Sequence, residues 1–249
     1  MSFPVDTPGP VAGIWGESAT QRHPLGTRMA LPDGRVYRYA LNGAVALSIA
    51  RLCQESVVIS GHGTDIVVAA AAAIGATSVT ITNNTTAITA NMYKDGYLLV
   101  NDEAGEGQLC KIKSHPAATA TASCVLTLYD EFALTVALTI ASQVGLRKSS
   151  YQDVVVNPTT PTGIPIGVCP IAVTAAYYFW LQTWGPAAVL TNGTVIRGLT
   201  VAPGATTAGS VDVYPLNSVD GSGQQPVVGW VETVGATAEF SLVFLTLAP

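Results

Sequence analysis

Charge is what this 249-residue chain has least of. Asp, Glu, Lys and Arg make up 11% of it, well under half of the roughly 25% found in an ordinary soluble domain. Ser, Thr, Asn, Gln and Gly fill the polar positions instead, as in the run Thr80–Thr89. Such residues suit strand surfaces and turns better than solvated helices. Low charge has a second consequence, because long charged side chains are costly to desolvate and are depleted from interface cores. A surface so poor in them is fit to be covered by other chains; a monomer merely rich in Ser and Thr is the alternative. The net charge of −5 and the scatter of 11 basic residues leave no electrostatic footprint for nucleic acid. The adjacent pair Arg147-Lys148 reads as an exposed turn.

Histidine is scarce too: His23, His62 and His115 are all there is, so acid–base and metal chemistry have few candidates. The segment Ser60-Gly-His62-Gly-Thr-Asp65 is similar to the His-Gly-Thr element of subtilisin-like proteases. Neither a Gly-Thr-Ser nucleophile nor an Asp-Ser/Thr-Gly aspartate accompanies it, and a triad is defined by geometry, not adjacency. No phosphate loop and no G-x-S-x-G elbow occur, and the acidic residues form no cluster beside Trp of the kind a glycosidase needs. The acidic run Asn101-Asp102-Glu103-Ala-Gly105-Glu106-Gly107 offers oxygens to Ca²⁺ but lacks the alternating spacing of an EF-hand loop. It reads as a solvated hairpin tip. Cys53, Cys110, Cys124 and Cys169 are irregularly spaced, with no CxxC and no His in ligand register, and read as reduced core thiols, a disulfide framework being the lesser alternative. The sequence therefore implies no cofactor, no metal and no catalytic residues. No stretch has the length of a membrane span; the apolar run Ile66–Ile74 reaches half of it. The opening Met1–Pro10 has no basic n-region or apolar h-region and does not read as a secretory signal.

What the chain does have is strand pattern. Pro4, Pro8 and Pro10 with Gly9, Gly13 and Gly16 mark residues 1–20 as an extended arm. Thr27–Leu31, Pro32-Asp33-Gly34 and Arg35–Leu41 read as a hairpin. Val45, Ile49 and Leu52 at i, i+4 and i+7 after Asn42 predict a short helix over Ala44–Gln54, and the alanine run predicts a second over Val67–Ile74. Beyond these, Ser78–Thr82, Gly96–Asn101, Gln108–Ser114 and Ser123–Tyr129 are strand-like, with Cys124, Leu126 and Leu128 on one face. Pro158, Pro161, Pro165 and Pro170 make residues 155–170 a linker. Strand-like runs follow at Tyr177–Trp184, Val189–Ala202, Gly209–Leu216, Pro226–Thr233 and Glu239–Leu247. The last is apolar on both faces and is expected to be tied into a core or an interface.

The reading is an all-β protein of barrel or sandwich subdomains, with one or two short helices in its N-terminal half. Residues 21–154 form a first β-rich domain and residues 171–249 a second, barrel-like module. The aromatic run Tyr177-Tyr178-Phe-Trp180-Leu-Gln-Thr-Trp184-Gly-Pro186 places aromatics on both faces of a strand. That favours a core or subunit contact over a sugar platform. Candidate interface residues are Phe3, Pro4, Pro8, Pro10 and Trp15 on the arm, Tyr178, Trp180 and Trp184 on the aromatic run, and Trp230.

Three blocks carry a family likeness: Leu25-Gly-Thr-Arg28 with Asp33-Gly-Arg-Val-Tyr-Arg-Tyr39; Gly96-Tyr-Leu-Leu-Val-Asn-Asp102 with Gly105-Glu-Gly107 and Ile112; and Tyr178-Phe-Trp-Leu-Gln-Thr-Trp-Gly-Pro186 with Gly198, Gly209 and Val227-Val-Gly-Trp-Val231 through to Leu247. In these the chain resembles structural proteins of tailed bacteriophages, of the capsid decoration or head cement type. It is longer than the small members of that class, by an extra N-terminal half. The resemblance implies a non-enzymatic virion component that is assembled in the host cytoplasm and sits on the capsid surface. It further implies binding to the major capsid protein and self-association as a homotrimer, with no nucleic-acid or membrane partner. The alternatives are a tail or fibre protein that binds host glycans and, of another class, a β-sandwich hydrolase.

Overall fold

The structure, a computed structural model, describes residues 7–8, 11–214, 225–236 and 238–249. It is all-β, with 40% strand and 3% helix. The helical pieces among the described residues are the 3-10 turns Val11–Trp15 and Asp130–Phe132, and no helix is long and apolar enough to cross a membrane.

The chain forms two compact units, one of them inserted into the other: Met1–Val57 joins Ser150–Pro249 in the first, and Val58–Ser149 is the second. The expected division into 21–154 and 171–249 is therefore replaced. Residues 155–170 are no linker between domains but part of the first unit, where Val155–Val156 and Pro165–Val168 both pair with Leu52–Gln54. Nor are residues 1–20 an arm throughout. Thr7–Pro8 pairs in parallel with Met29 and Ala30, Ile14 is fully buried against Leu25, Met29 and Trp180, and Ser18 exchanges backbone hydrogen bonds with Tyr178.

In chain order the first unit carries β1 (Thr7–Pro8), β2 (Arg28–Ala30), β3 (Val36–Leu41) and β4 (Leu52–Gln54). The second unit carries β5 (Ile66–Val67), β6 (Ser78–Thr82), β7 (Tyr97–Asp102), β8 (Leu109–Ser114), β9 (Ser123–Leu128) and β10 (Gln143–Arg147). The first unit resumes with β11 (Val155–Val156), β12 (Pro165–Val168), β13 (Tyr178–Leu190), β14 (Thr200–Pro203), β15 (Val211–Val213), β16 (Gly229–Thr233) and β17 (Phe240–Thr246). Its sheet runs β1-β2-β3-β13-β17-β16-β14-β15, with β4, β11 and β12 joined at its side, and curls into a half-barrel. In the second unit the order β5-β10-β7-β8-β9-β6 nearly closes on itself through the bridge Val68↔Ile81. Strict alternation fills this barrel. Val79, Ile81, Leu98, Val100, Leu126 and Leu128 are fully buried while their strand neighbours face out, as the period of a pleated strand requires.

Neither expected helix forms, for a shared reason. Leu47, Ala72 and Ile88 each cross a distant segment as an isolated antiparallel pair, with Val173, Leu138 and Ala118 respectively. Each pair is closed by reciprocal N–H to C=O bonds of 2.8–3.0 Å. Every crossing residue stands between an alanine and a small partner: Ala46-Leu47-Ser48, Ala71-Ala72-Ala73, Ala87-Ile88-Thr89, Ala117-Ala118-Thr119, Ala137-Leu138-Thr139 and Ala172-Val173-Thr174. The central side chain turns inward while both flanks are exposed. A few residues on, the backbone turns through left-handed φ at Ala50 (58°), Gly75 (81°), Asn91 (58°), Thr121 (62°) and Ala176 (59°), a conformation that no right-handed helix continues through. The helical spacing of Val45, Ile49 and Leu52 is thus coincidental: Val45 and Ile49 are exposed, Leu47 is buried between them, and Leu52 is buried as the first residue of β4.

Asn42 does not cap a helix. Its amide donates to the carbonyls of Val45 (3.1 Å), Val173 (3.3 Å) and Thr174 (2.9 Å). Asn83, at the same distance before Ile88, donates to Thr86 (2.8 Å) and Thr119 (3.0 Å). Both are buried, and each adds a further bond to carbonyls most of which also accept from Leu47, Tyr177, His62 or Ala122, so removing the amide forfeits two or three hydrogen bonds at about 0.5–1.5 kcal/mol each. Asn42→Ala and Asn83→Ala are each expected to lower unfolding free energy by about 1–3 kcal/mol, measured by urea denaturation, with Asn84→Ala, an exposed donor to Gly61, the smaller effect.

Candidate interaction surface

The thirteen-residue β13 organises the first unit, pairing with β3 along one side and β17 along the other. Phe179, Leu181, Ala187 and Val189 point into the apolar core. On the opposite face the N-terminal half of β13 is covered. Trp180 packs edge-on to Tyr39 at 5.1 Å and lies against His23 at 5.4 Å, and Tyr178 stacks on Tyr39 at 5.7 Å. Trp180 is therefore a core residue, 8% exposed, and not the interface residue the sequence suggested.

The C-terminal half of that face is bare. In register, Trp184, Pro186 and Ala188 stand beside Thr246, Phe244 and Leu242 of β17, and Phe244 stands beside Trp230 of β16. Trp184 meets Phe244 edge-to-face at 5.7 Å and 79°. Trp230 is 45% and Phe240 52% exposed, and Leu242 is exposed beside them. The expected apolar last strand is thus apolar on both faces: Val243 and Leu245 are buried, while Phe240 and Leu242 look out. Next to it opens a groove of about 390 Å³ lined by Trp15, Ile49, Pro170, Pro186, Phe240 and Leu242, with Arg35 at its side. Trp15 is 56% exposed.

The groove floor is polar but self-satisfied. Arg35 donates to Asp33 at 2.7 Å and to the Tyr37 hydroxyl at 3.0 Å. The Tyr37 hydroxyl donates to Gln182 Oε1 at 3.3 Å, and the Gln182 amide donates to the Pro186 carbonyl at 2.8 Å. Burial pushes the Tyr37 phenol up to about 12, and Asp33 is held below its usual range by the Arg35 backbone N–H it accepts. This network fixes the groove's shape and leaves its rim apolar. Of the remaining interface candidates, Tyr178 and Trp184 are half-buried; Phe3, Pro4 and Pro10 lie outside the described residues, and Pro8 belongs to β1.

The chemistry weighed at His62 resolves into packing. His62 is fully buried; its Nδ1 bonds the Tyr93 hydroxyl at 2.5 Å and its Nε2 donates to the Thr86 carbonyl at 2.9 Å. His115 lies across the same tyrosine. Its Nε2 accepts the Tyr93 backbone N–H at 2.9 Å and its Nδ1 donates to the Pro116 carbonyl at 2.9 Å. Both rings have spent their nitrogens inside the second unit. The acidic run is the hairpin tip between β7 and β8, with Glu103, Gly105 and Gly107 at positive φ. Among the described residues no group of three or more His, Cys, Asp or Glu is arranged to hold a metal ion.

The signal that sequence reasoning passed over is the Ala-x-Ser/Thr unit that recurs around five of the six crossing residues, Ala72 standing instead between two alanines. Aligning Asn42-Gly-Ala-Val-Ala-Leu-Ser48 with Asn83-Asn-Thr-Thr-Ala-Ile-Thr89 would have exposed it. For Asn42 and Asn83, that alignment also predicts the shared bonding role.

Desolvation lowers the His115 imidazole below its usual 6.5, opposed only in part by its bond to Pro116. The folded state therefore favours the neutral ring, which alone can accept the Tyr93 N–H. Its contribution is complete above about pH 6.5 and is lost as pH falls toward the folded-state value, with a slope of at most ~1.4 kcal/mol per pH unit. Urea titrations between pH 7.5 and 5 are expected to show this decline, and His115→Gln to flatten it. No family model, no curated protein and no solved structure matches the chain, so its own surface is what its function is read from.

Proposed function

We infer that this chain is a non-catalytic decoration protein of a tailed-virus particle, which docks on the assembled capsid through the bare aromatic face of β13, β16 and β17. The observation that carries this reading is that face. Trp15, Trp230 and Phe240, at roughly 200 Å² each and about half exposed, offer on the order of 300 Å². That alone reaches the lower end of the roughly 300–600 Å² spanned by the largest, often functional, apolar patch of a monomer. Leu242, Phe244, Trp184 and Ile49 extend it toward the roughly 800 Å² per partner of a stable complex. Trp is also the residue type most enriched among binding hot spots. The shortage of charge noted in the sequence fits the same use, since little has to be desolvated around the patch.

The partner in this reading is the major capsid protein in its assembled form, with self-association as a homotrimer on the capsid surface and assembly in the host cytoplasm. A ligand that binds the shell and not its free subunits stabilises the shell by mass action, and symmetry repeats the small contact over many sites.

Co-sedimentation with purified capsids of the virus that encodes the chain tests the reading. The wild-type protein is expected to pellet with intact shells and to stay in solution with disassembled capsid subunits. The double variant Trp230→Ser/Phe240→Ser is expected to keep its far-ultraviolet circular dichroism and lose at least ten-fold in affinity, about 1.4 kcal/mol or more. Wild-type protein that stays in the supernatant, or a variant that pellets like wild type, overturns it. Binding to host-cell glycans that the same variant loses would transfer the face to an adhesion role.

A further inference from the structure

Two of the four cysteines meet inside the first unit. Cys53 lies on β4 opposite Gly167 of β12. Cys169 follows β12 and continues that ladder: its N–H donates to the Arg51 carbonyl at 3.2 Å, and its carbonyl accepts from Ala50 N–H at 2.8 Å. Cys169 thus stands across from the residue two before Cys53, and residues two apart on a strand share a face. The thiols converge on a single acceptor. The Sγ atoms of Cys53 and Cys169 each lie 3.4 Å from the Arg51 carbonyl oxygen, and Cys169 also reaches the Ser48 carbonyl at 2.7 Å.

A Cβ at Gly167 would stand 2.6 Å from both the Gln182 backbone oxygen and Leu181 Cγ, so the position across from Cys53 carries no side chain of its own. Both cysteines are fully buried in one apolar cluster with Ala40, Phe179 and Leu181. Cys110 and Cys124 belong to the other unit, where the Cys124 thiol faces the Pro116 carbonyl at 3.7 Å.

We propose that Cys53 and Cys169 are a modification site: a dithiol that closes to a disulfide when the chain folds in the presence of a low-molecular-weight disulfide such as oxidised glutathione. One cysteine, as thiolate, attacks a glutathione sulfur, forms a mixed disulfide and expels one glutathione thiolate. The second cysteine gives up its proton and attacks the protein sulfur of that mixed disulfide. This forms the Cys53–Cys169 bond and expels a second glutathione thiolate. Two electrons pass to the glutathione disulfide, and the expelled thiolates take up the two protons. Because both thiols are buried once β4 and β12 have paired, the exchange belongs to folding or to local opening of that ladder. The loop it closes contains the whole of Val58–Ser149, and restricting so long a loop in the unfolded chain is where a disulfide stabilises most. The pair then distinguishes a reducing compartment, where the chain folds with free thiols, from an oxidising one, where the first unit is locked. The inference stands on the fold of the first unit and is independent of the capsid-binding reading.

The test is refolding of the reduced, urea-unfolded full chain in glutathione buffers of increasing oxidised fraction, followed by alkylation and peptide mapping. The expected result is a Cys53–Cys169 linked peptide that accumulates with the oxidised fraction while Cys110 and Cys124 are alkylated. The oxidised protein is expected to melt higher by on the order of 5–10 °C, a gain reversed by dithiothreitol and absent from Cys53→Ser and Cys169→Ser. Full alkylation of Cys53 and Cys169 across the series overturns the proposal, as does cross-linking of either to Cys110 or Cys124, or identical melting of the oxidised and reduced wild-type protein. The peptide map on the wild-type chain decides the matter even if a serine variant fails to fold.

Discussion

Backbone hydrogen bonding without helices is the constraint from which this structure follows. Every buried N–H and C=O needs a partner, and strands paired edge to edge supply most of them. Where the chain leaves a sheet to cross another segment, it contributes one inward residue and a reciprocal pair of bonds, as at Leu47 with Val173, Ala72 with Leu138 and Ile88 with Ala118. Around two of these crossings a buried asparagine, Asn42 or Asn83, adds a second bond to carbonyls of the paired loops. The small flanking residues follow from the same geometry, since an exposed Ala, Ser or Thr beside the crossing leaves the bonds unobstructed.

Alternation made the second unit's strands legible. Ser78–Thr82 and the face shared by Cys124, Leu126 and Leu128 stand in the barrel as read, because a half-buried strand writes its period directly into its residues. The crossings were not legible by that rule, since one buried residue has no period. At Ala44–Gln54 the exposed Val45 and Ile49 supplied a false helical one, and at Val67–Ile74 alanine propensity did the same. The division into units was hidden by contrast. Of the prolines of 155–170 only Pro165 lies in a strand, and the segment between β11 and β12 loops back within the first unit, whereas the true crossings, Val57 to Val58 and Ser149 to Ser150, carry no Pro or Gly at all.

The aromatic strand shows what composition does and does not say. Alternation required that Tyr178, Trp180 and Trp184 lie on one side and Phe179 on the other, and they do. Which of them stays uncovered depends on residues far away in sequence. Ile14, Met29 and Tyr39 close over Trp180, while β17 brings Phe240, Leu242 and Phe244 alongside Pro186 and Ala188 and leaves them open. His62 is the complementary case. Its local motif suggested chemistry, and its tertiary partners Tyr93 and Thr86 make it a packing residue.

The insertion of one unit inside the other sets an order of events during synthesis. The segment Val58–Ser149 is contiguous and can collapse as soon as it clears the ribosome. Strand β3, by contrast, waits for β13. Tyr37 and Gln182, which end up hydrogen-bonded, are 145 positions apart, a delay of roughly 7–30 s at about 5–20 residues per second. For that interval the nascent β3 carries an unpaired edge, and the charge of Arg38 in it works against premature pairing with neighbouring polysomes.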